Sequence, residues 1–227
     1  MQRGSEAVGG FSKEKGDKLK EFGTCAVSDA MDRLGIPCGL YGIKPIVKDV
    51  AICGPAFTVH YVPCGLNKGT VGDFLDDVKP GEVVVIDNGG RDYGTVWGGL
   101  MSLDASLRGV EGTIIDGVCR DTPVIYETNY AIFTRGYYMV TGKDRVEVDE
   151  VGGIVQISNI QVKPGDIILG DGTGALVIPK ERFDEVYDIA KEIAEKEASV
   201  EENLRKGMSL GEARAKVSYH SLQTRRT

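Results

Sequence analysis

The chain has 227 residues, 27 Lys+Arg against 34 Asp+Glu, and a formal net charge of −7. Its 41% hydrophobic and 27% charged content is that of an ordinary globular protein, and at ~150 residues per domain the length suits one large domain or two small ones. The acidic balance argues against a nucleic-acid surface and against an anionic membrane face.

Residues 12–22 read as a polar helical lead-in. Residues 24–34 (TCAVSDAMDRL) form a second short helix, stopped by Gly35 with Pro37 beyond. Residues 51–62 are strand-like, with a break expected at Gly54-Pro55, and residues 66–78 have room for a short helix before the Lys79-Pro80-Gly81 turn. Glu82–Asp87 (EVVVID) is a buried strand, Trp97–Arg108 a helix with Val96, Leu100, Leu103 and Leu107 at helical spacing, and Thr113–Val118 (TIIDGV) a second buried strand. Strand, crossover helix and strand in such a short span make a βαβ unit with parallel strands. Residues 131–178 are a run of short strands separated by turns such as Lys163-Pro164-Gly165-Asp166 and Asp171-Gly172-Thr173-Gly174. A helix over about 180–206 and a polar tail close the chain. No low-complexity linker divides it, so residues 1–227 read as a single α/β domain.

Several kinds of chemistry lack their parts. Cys25, Cys38, Cys53, Cys64 and Cys119 are scattered and contain no CxxC, which fits reduced thiols in or near the core better than a disulfide framework or a zinc site. Only His60 and His220 could supply imidazole, which argues against a His-based metal site or a Ser-His-Asp triad. The longest purely aliphatic run, Val83–Ile86, is far short of the ~20 residues of a membrane helix. The polar N-terminus has no apolar stretch of the kind a secretory leader carries, so a cytoplasmic location is expected.

Ligands of α/β sheets gather beyond the carboxyl ends of parallel strands. One such end delivers Asp87-Asn88-Gly89-Gly90, followed by Gly98-Gly99 at a helix start, where exposed N–H groups can meet an anion. The other delivers Arg120, a planar fork for a carboxylate or enolate, and Asp121, a hard oxygen ligand for Mg2+ or Mn2+. The Arg-Asp pair also fits a surface dipeptide that caps a helix, and Gly98-Gly99 also fits a plain turn. On the terminal helix Val186, Ala190, Ile193, Val200 and Leu204 form an apolar stripe interrupted by Glu197. A carboxylate there sits at a half-exposed edge or serves a partner.

Gly99, twenty intervening residues and Arg120-Asp121 resemble the G-x20-R-D-x2-D/E motif of the regulators of ribonuclease activity A and the 4-hydroxy-4-methyl-2-oxoglutarate aldolases. The likeness runs from about residue 24 to 207 and includes VSDAMDRLG, GPAFTV, PGEVVVIDNGG, RGVEGTIIDG and KPGDIILGDGTGALVIP. It implies a β/β/α swivelling domain assembled as trimers or hexamers, with the terminal helix at a subunit interface and sites between subunits. It implies a divalent-metal-dependent (Mg2+ or Mn2+) lyase that cleaves a small 2-keto acid through a pyruvate enolate, as an aldolase, an oxaloacetate decarboxylase or both. The other activity of the family, ribonuclease-regulator binding, is the non-enzymatic alternative. An older methyltransferase label in the family finds no glycine-rich S-adenosylmethionine loop here. By resemblance Asp121 is the metal ligand, Arg120 steadies the enolate oxygen, and the backbone at Gly98, Gly99, Leu100 and Met101 is the carboxylate nest. Glu197 is an acid that a neighbouring subunit lends to the metal's water shell. The motif's last acid is replaced by Val124.

Overall fold

The computed structural model describes residues 10–66 and 71–217. Helix α1 (Lys13–Arg33) starts on Ser12, whose hydroxyl accepts the Lys15 N–H. It is two helical pieces joined at Gly23 (φ 82°, ψ 163°), matching the two segments expected from the sequence. The second piece restarts on a borrowed cap: the Asp171 carboxylate accepts from the Thr24 N–H at 2.8 Å and from its hydroxyl at 2.9 Å. Gly35 follows the helix at φ 68°, a conformation open to glycine at little steric cost.

In chain order the remaining elements are β1 (Lys44–Pro45), β2 (Ile52–Pro63), a 3-10 turn (Phe74–Asp77), β3 (Val83–Arg91), α2 (Gly99–Arg108), β4 (Gly112–Cys119), α3 (Thr122–Thr128), β5 (Ile132–Tyr137), β6 (Val146–Val151), β7 (Val155–Ile157), β8 (Ile160–Val162), β9 (Ile167–Asp171), β10 (Gly174–Ile178), α4 (Phe183–Arg205) and α5 (Leu210–Lys216). The main sheet runs β1-β5-β4-β3-β2-β9-β10, with β6 also paired to β2. The pairs β2–β3, β3–β4 and β4–β5 are parallel, and the flanking pairs are antiparallel. The expected βαβ unit is therefore present as β3-α2-β4. A second unit, β4-α3-β5, follows it directly.

Three differences from the sequence reading have physical causes. Strand β2 does not break at Gly54-Pro55. Pro55 falls where pairing with β9 ends and pairing with β3 begins, so a missing N–H costs the ladder little. Gly54 is there for space: a Cβ on it would lie 2.2 Å from the Gly81 carbonyl oxygen. The helix expected within 66–78 is only the turn at Phe74–Asp77, and residues 67–70 of that stretch lie outside the described residues. In α2 the spacing of Leu100, Leu103 and Leu107 marks the solvent side; the buried face is Gly99, Ser102 and Ala105.

Strands β3 and β4 are covered on both faces, as parallel strands usually are. Val84, Ile86 and Ile115 face α2 and α3 in a core with Trp97, Ala105, Ile125 and Tyr130. Val83, Val85 and Ile114 face a second core closed by the β7–β8 hairpin through Val155, Ile157 and Val162. A third core joins α1 and α4 to β9 and β10. Val186, Ala190, Ile193 and Val200 of the terminal stripe are buried within this one chain, so the stripe by itself calls for no partner.

Candidate functional site

Strand β4 is buried along its whole length and then delivers Arg120 and Asp121 at its carboxyl end. The Arg120 N–H donates to the Trp97 carbonyl oxygen at 3.0 Å, which lays the segment before α2 against the end of β4. Asp121 takes the left-handed conformation (φ 59°, ψ 41°). That costs an L-residue roughly 1–2 kcal/mol, and Asp is among the few that tolerate it. Its side chain does not cap α3, the helix it precedes. The carboxylate crosses to α2 and accepts the Gly99 N–H at 2.9 Å. Asp121 is thus a helix cap and a candidate site residue at once, and the helix it caps is a neighbour. The Arg120 Nε lies 3.6 Å from the same carboxylate oxygen, and the two side chains are 41% and 47% exposed.

The glycine pair is required by this close approach. A Cβ on Gly98 would stand 2.9 Å from the Asp121 Oδ2. A Cβ on Gly99 would stand 3.1 Å from the Val124 side chain and 3.2 Å from the Asp121 Cβ. The structure therefore brings Gly98, Gly99, Arg120, Asp121 and Val124 together, and position 124 lies beside Asp121 as the motif spacing requires. One element of the expected carboxylate nest is already spent, because the Gly99 N–H is held by Asp121. The amides of Leu100 and Met101 remain in the first turn of α2, where N–H groups have no intrahelical partner.

Glu197 stands apart within one chain. It is half-buried on α4, which packs on α1 at the β9–β10 side of the sheet. Among the described residues no three His, Cys, Asp or Glu side chains converge as a metal cluster. Asp121 still suits a hard divalent ion. Mg2+ commonly takes one or two carboxylates and fills the rest of its octahedron with water and substrate oxygens, and Asp121 offers an exposed carboxylate whose Oδ2 alone is committed to Gly99. The neighbouring thiol is no nucleophile: burial pushes Cys119 up to about 12.

Two residues at this site escaped the sequence reading. Trp97 is buried, stacked on Tyr130 with ring centroids 6.0 Å apart, and its indole N–H donates to the Ser102 Oγ at 2.9 Å. The Ser102 hydroxyl donates in turn to the Gly98 carbonyl at 3.0 Å. Nothing in the local pattern marks a serine inside a helix as a partner for a tryptophan five residues earlier. None of the described helices is long and apolar enough to cross a membrane.

Comparison with known proteins bears on the family and the fold. The chain is 38% identical over 206 residues to protein DlpA of Legionella pneumophila, covering 89% of this chain but only 33% of that longer protein. It is 31% identical over 174 residues to a Halalkalibacterium halodurans protein named "Putative 4-hydroxy-4-methyl-2-oxoglutarate aldolase", covering 77% of this chain and 80% of that one. The crystal structure of Streptomyces coelicolor RraAS2, described as an unusual member of the RNase ES inhibitor RraA protein family, superposes with a TM-score of 0.77 at 23% identity and shows the same fold over 83% of this chain and 96% of that one. A family model described as RraA-like, Aldolase/RraA, matches residues 24–177, and the chain belongs to that family.

Proposed function

We propose that the protein is a divalent-metal-dependent lyase that cleaves a small 2-keto acid to leave a pyruvate enolate. The observation that carries this reading is the Asp121 carboxylate, fixed by the Gly99 amide and flanked by the Arg120 guanidinium at the open end of α2. Asp121 would hold Mg2+ or Mn2+, and the bound ion would supply Lewis-acid polarisation of the substrate's keto oxygen. Arg120 would neutralise charge that develops on that oxygen as the bond beyond C3 breaks. The Leu100 and Met101 amides, at the positive end of α2, suit the substrate carboxylate. No lysine stands in the motif to form a Schiff base. The leaving fragment, another keto acid or carbon dioxide, distinguishes aldolase from decarboxylase.

The site is open in a single chain, and we read it as completed by a second copy in a trimer or hexamer. Support comes from α2, where Leu100 at the site end and Leu107 two turns further on are 86% and 78% exposed. In this assembly Glu197 of a neighbour would reach the metal's water shell near Asp121. Sedimentation as a monomer would contradict it.

The second reading is a ribonuclease-regulator-like binding protein. Val124 favours it, since valine stands where the motif carries an acid and packs close to Gly99. Pyruvate release from oxaloacetate and from 4-hydroxy-4-methyl-2-oxoglutarate, with and without Mg2+, separates the two readings. The lyase reading requires metal-dependent release from at least one of them above the rate of the metal without protein.

A further inference from the structure

The Gly98–Gly99 peptide is gripped at both ends. Its N–H, at Gly99, is held by the Asp121 carboxylate at 2.9 Å. Its C=O, at Gly98, accepts from both the Ser102 N–H and the Ser102 Oγ, each at 3.0 Å. Ser102 is fully buried, and its hydroxyl has a defined direction: the Trp97 indole N–H donates to the oxygen, so the hydroxyl proton is turned to the Gly98 carbonyl. Hydrogen bonds in such a chain polarise one another. Trp97 is in turn immobilised by stacking on Tyr130, whose hydroxyl is paired with the Thr113 Oγ1 at 2.9 Å. Rotation of the Gly98–Gly99 peptide would therefore break three bonds together, one of them to Asp121. Two consecutive glycines leave no side chain of their own to resist that rotation.

We propose that Ser102, locked by Trp97, is a positioning residue for Asp121: it orients the Gly98–Gly99 peptide whose N–H holds the Asp121 carboxylate in place. As a claim about metal affinity this rests on the lyase reading; as a claim about the Gly99 amide it does not, so the two can fail separately. It also makes Trp97, the one tryptophan of the chain, an internal reporter of the site.

The test uses the full chain carrying Ser102→Ala, a smaller residue of high helix propensity. Trp97→Phe is the second variant, and Ser106→Ala, on the exposed side of α2, is the control. Two readouts are taken: hydrogen exchange of the Gly99 amide without metal, and Mn2+ affinity from the paramagnetic resonance of free Mn2+. Ser102→Ala is expected to strip protection from the Gly99 amide and to weaken Mn2+ binding by about 10–100-fold, as loss of an outer partner does. Trp97→Phe should move both in the same direction by less, and Ser106→Ala should move neither. Unchanged Gly99 protection in Ser102→Ala overturns the proposal whatever the metal does. If the wild type takes up no Mn2+ while Ser102→Ala still exposes the Gly99 amide, the positioning role stands and the metal reading falls. If Asp121→Asn abolishes Mn2+ binding and Ser102→Ala changes neither readout, the metal reading stands and Ser102 only fills space.

Discussion

Arg120 and Asp121 owe their arrangement to one residue in an uncommon conformation. With Asp121 at φ 59°, the chain turns out of β4 so that its carboxylate meets α2 while Arg120 stays beside it. If Arg120 acts only on charge that appears in the transition state, Arg120→Ala lowers kcat by about 10²–10³-fold with little change in KM. Arg120→Lys is also poor, because a point charge does not reproduce the guanidinium fork. Steady-state kinetics on whichever keto acid is turned over checks both, and a change in KM alone would reduce Arg120 to a substrate clamp. Position 124 offers a gain-of-function test. Val124 stands one helical turn after Asp121 and against Gly99. Val124→Asp should tighten Mg2+ binding about 10–100-fold if a carboxylate there steadies metal-bound water. Calorimetric titration of both forms measures it, and equal affinities in two folded proteins would show that the position is not the missing acid. The resemblance to the family motif made the residues of this site legible; spacing alone left Arg120-Asp121 open to a surface cap and Gly98-Gly99 to a plain turn. The left-handed Asp121, its choice of α2 over its own helix, and the Trp97–Ser102 support were not legible. Each depends on a neighbour distant in sequence or on a backbone angle that no local pattern specifies.

At the scale of elements, helix ends and strand junctions are held by a few side chains, and some of these were readable. The second piece of α1 begins at Thr24, and Asp171, at the end of β9, caps it. Burial opposes ionisation of Asp171, but the N–H and hydroxyl groups of Thr24 and Thr173 outweigh it and hold the carboxyl below the ordinary 3.8. A folded value below the unfolded one stabilises the protein above the unfolded value, and that contribution is lost as pH falls through the folded value. Asp171→Asn should therefore flatten the loss of stability as pH falls below about 4. Asp171→Ala should cost about 1 kcal/mol at neutral pH, the usual worth of a cap. Urea unfolding at several pH values tests both. In the sequence, Gly23 and the turn at Asp171 are visible, but their meeting is not. Helix α5 falls in what reads from the sequence as a polar tail, although its capping box, Ser209 with Glu212, has the S-x-x-E pattern. The leucine spacing of α2 marks a helix but not its buried face. Helical periodicity identifies a face without saying which way it points, and here small residues (Gly99, Ser102, Ala105) let the helix approach the sheet closely.

For the whole molecule, the parallel strands β2 to β5 fix one end of the sheet as the place where the candidate site residues emerge. Buried β-rich runs and the βαβ spacing made that core legible, whereas the partner change of β2 between β9 and β3 arises only once distant strands meet. The exposed leucines along α2 set an expectation for assembly: Leu100→Glu together with Leu107→Glu should shift a trimer or hexamer toward monomers in sedimentation and lower turnover with it. An unaltered oligomer would remove α2 from the interface. The central claim is that Asp121 and Arg120 serve a metal-dependent cleavage of a 2-keto acid, and pyruvate formation tests it most directly. Purified protein stripped with a chelator should release pyruvate from oxaloacetate or 4-hydroxy-4-methyl-2-oxoglutarate no faster than the protein-free buffer does. Added Mg2+ or Mn2+ should restore release in the wild type and not in Asp121→Ala. Full activity after chelation, or equal metal-dependent activity in Asp121→Ala, would contradict the account.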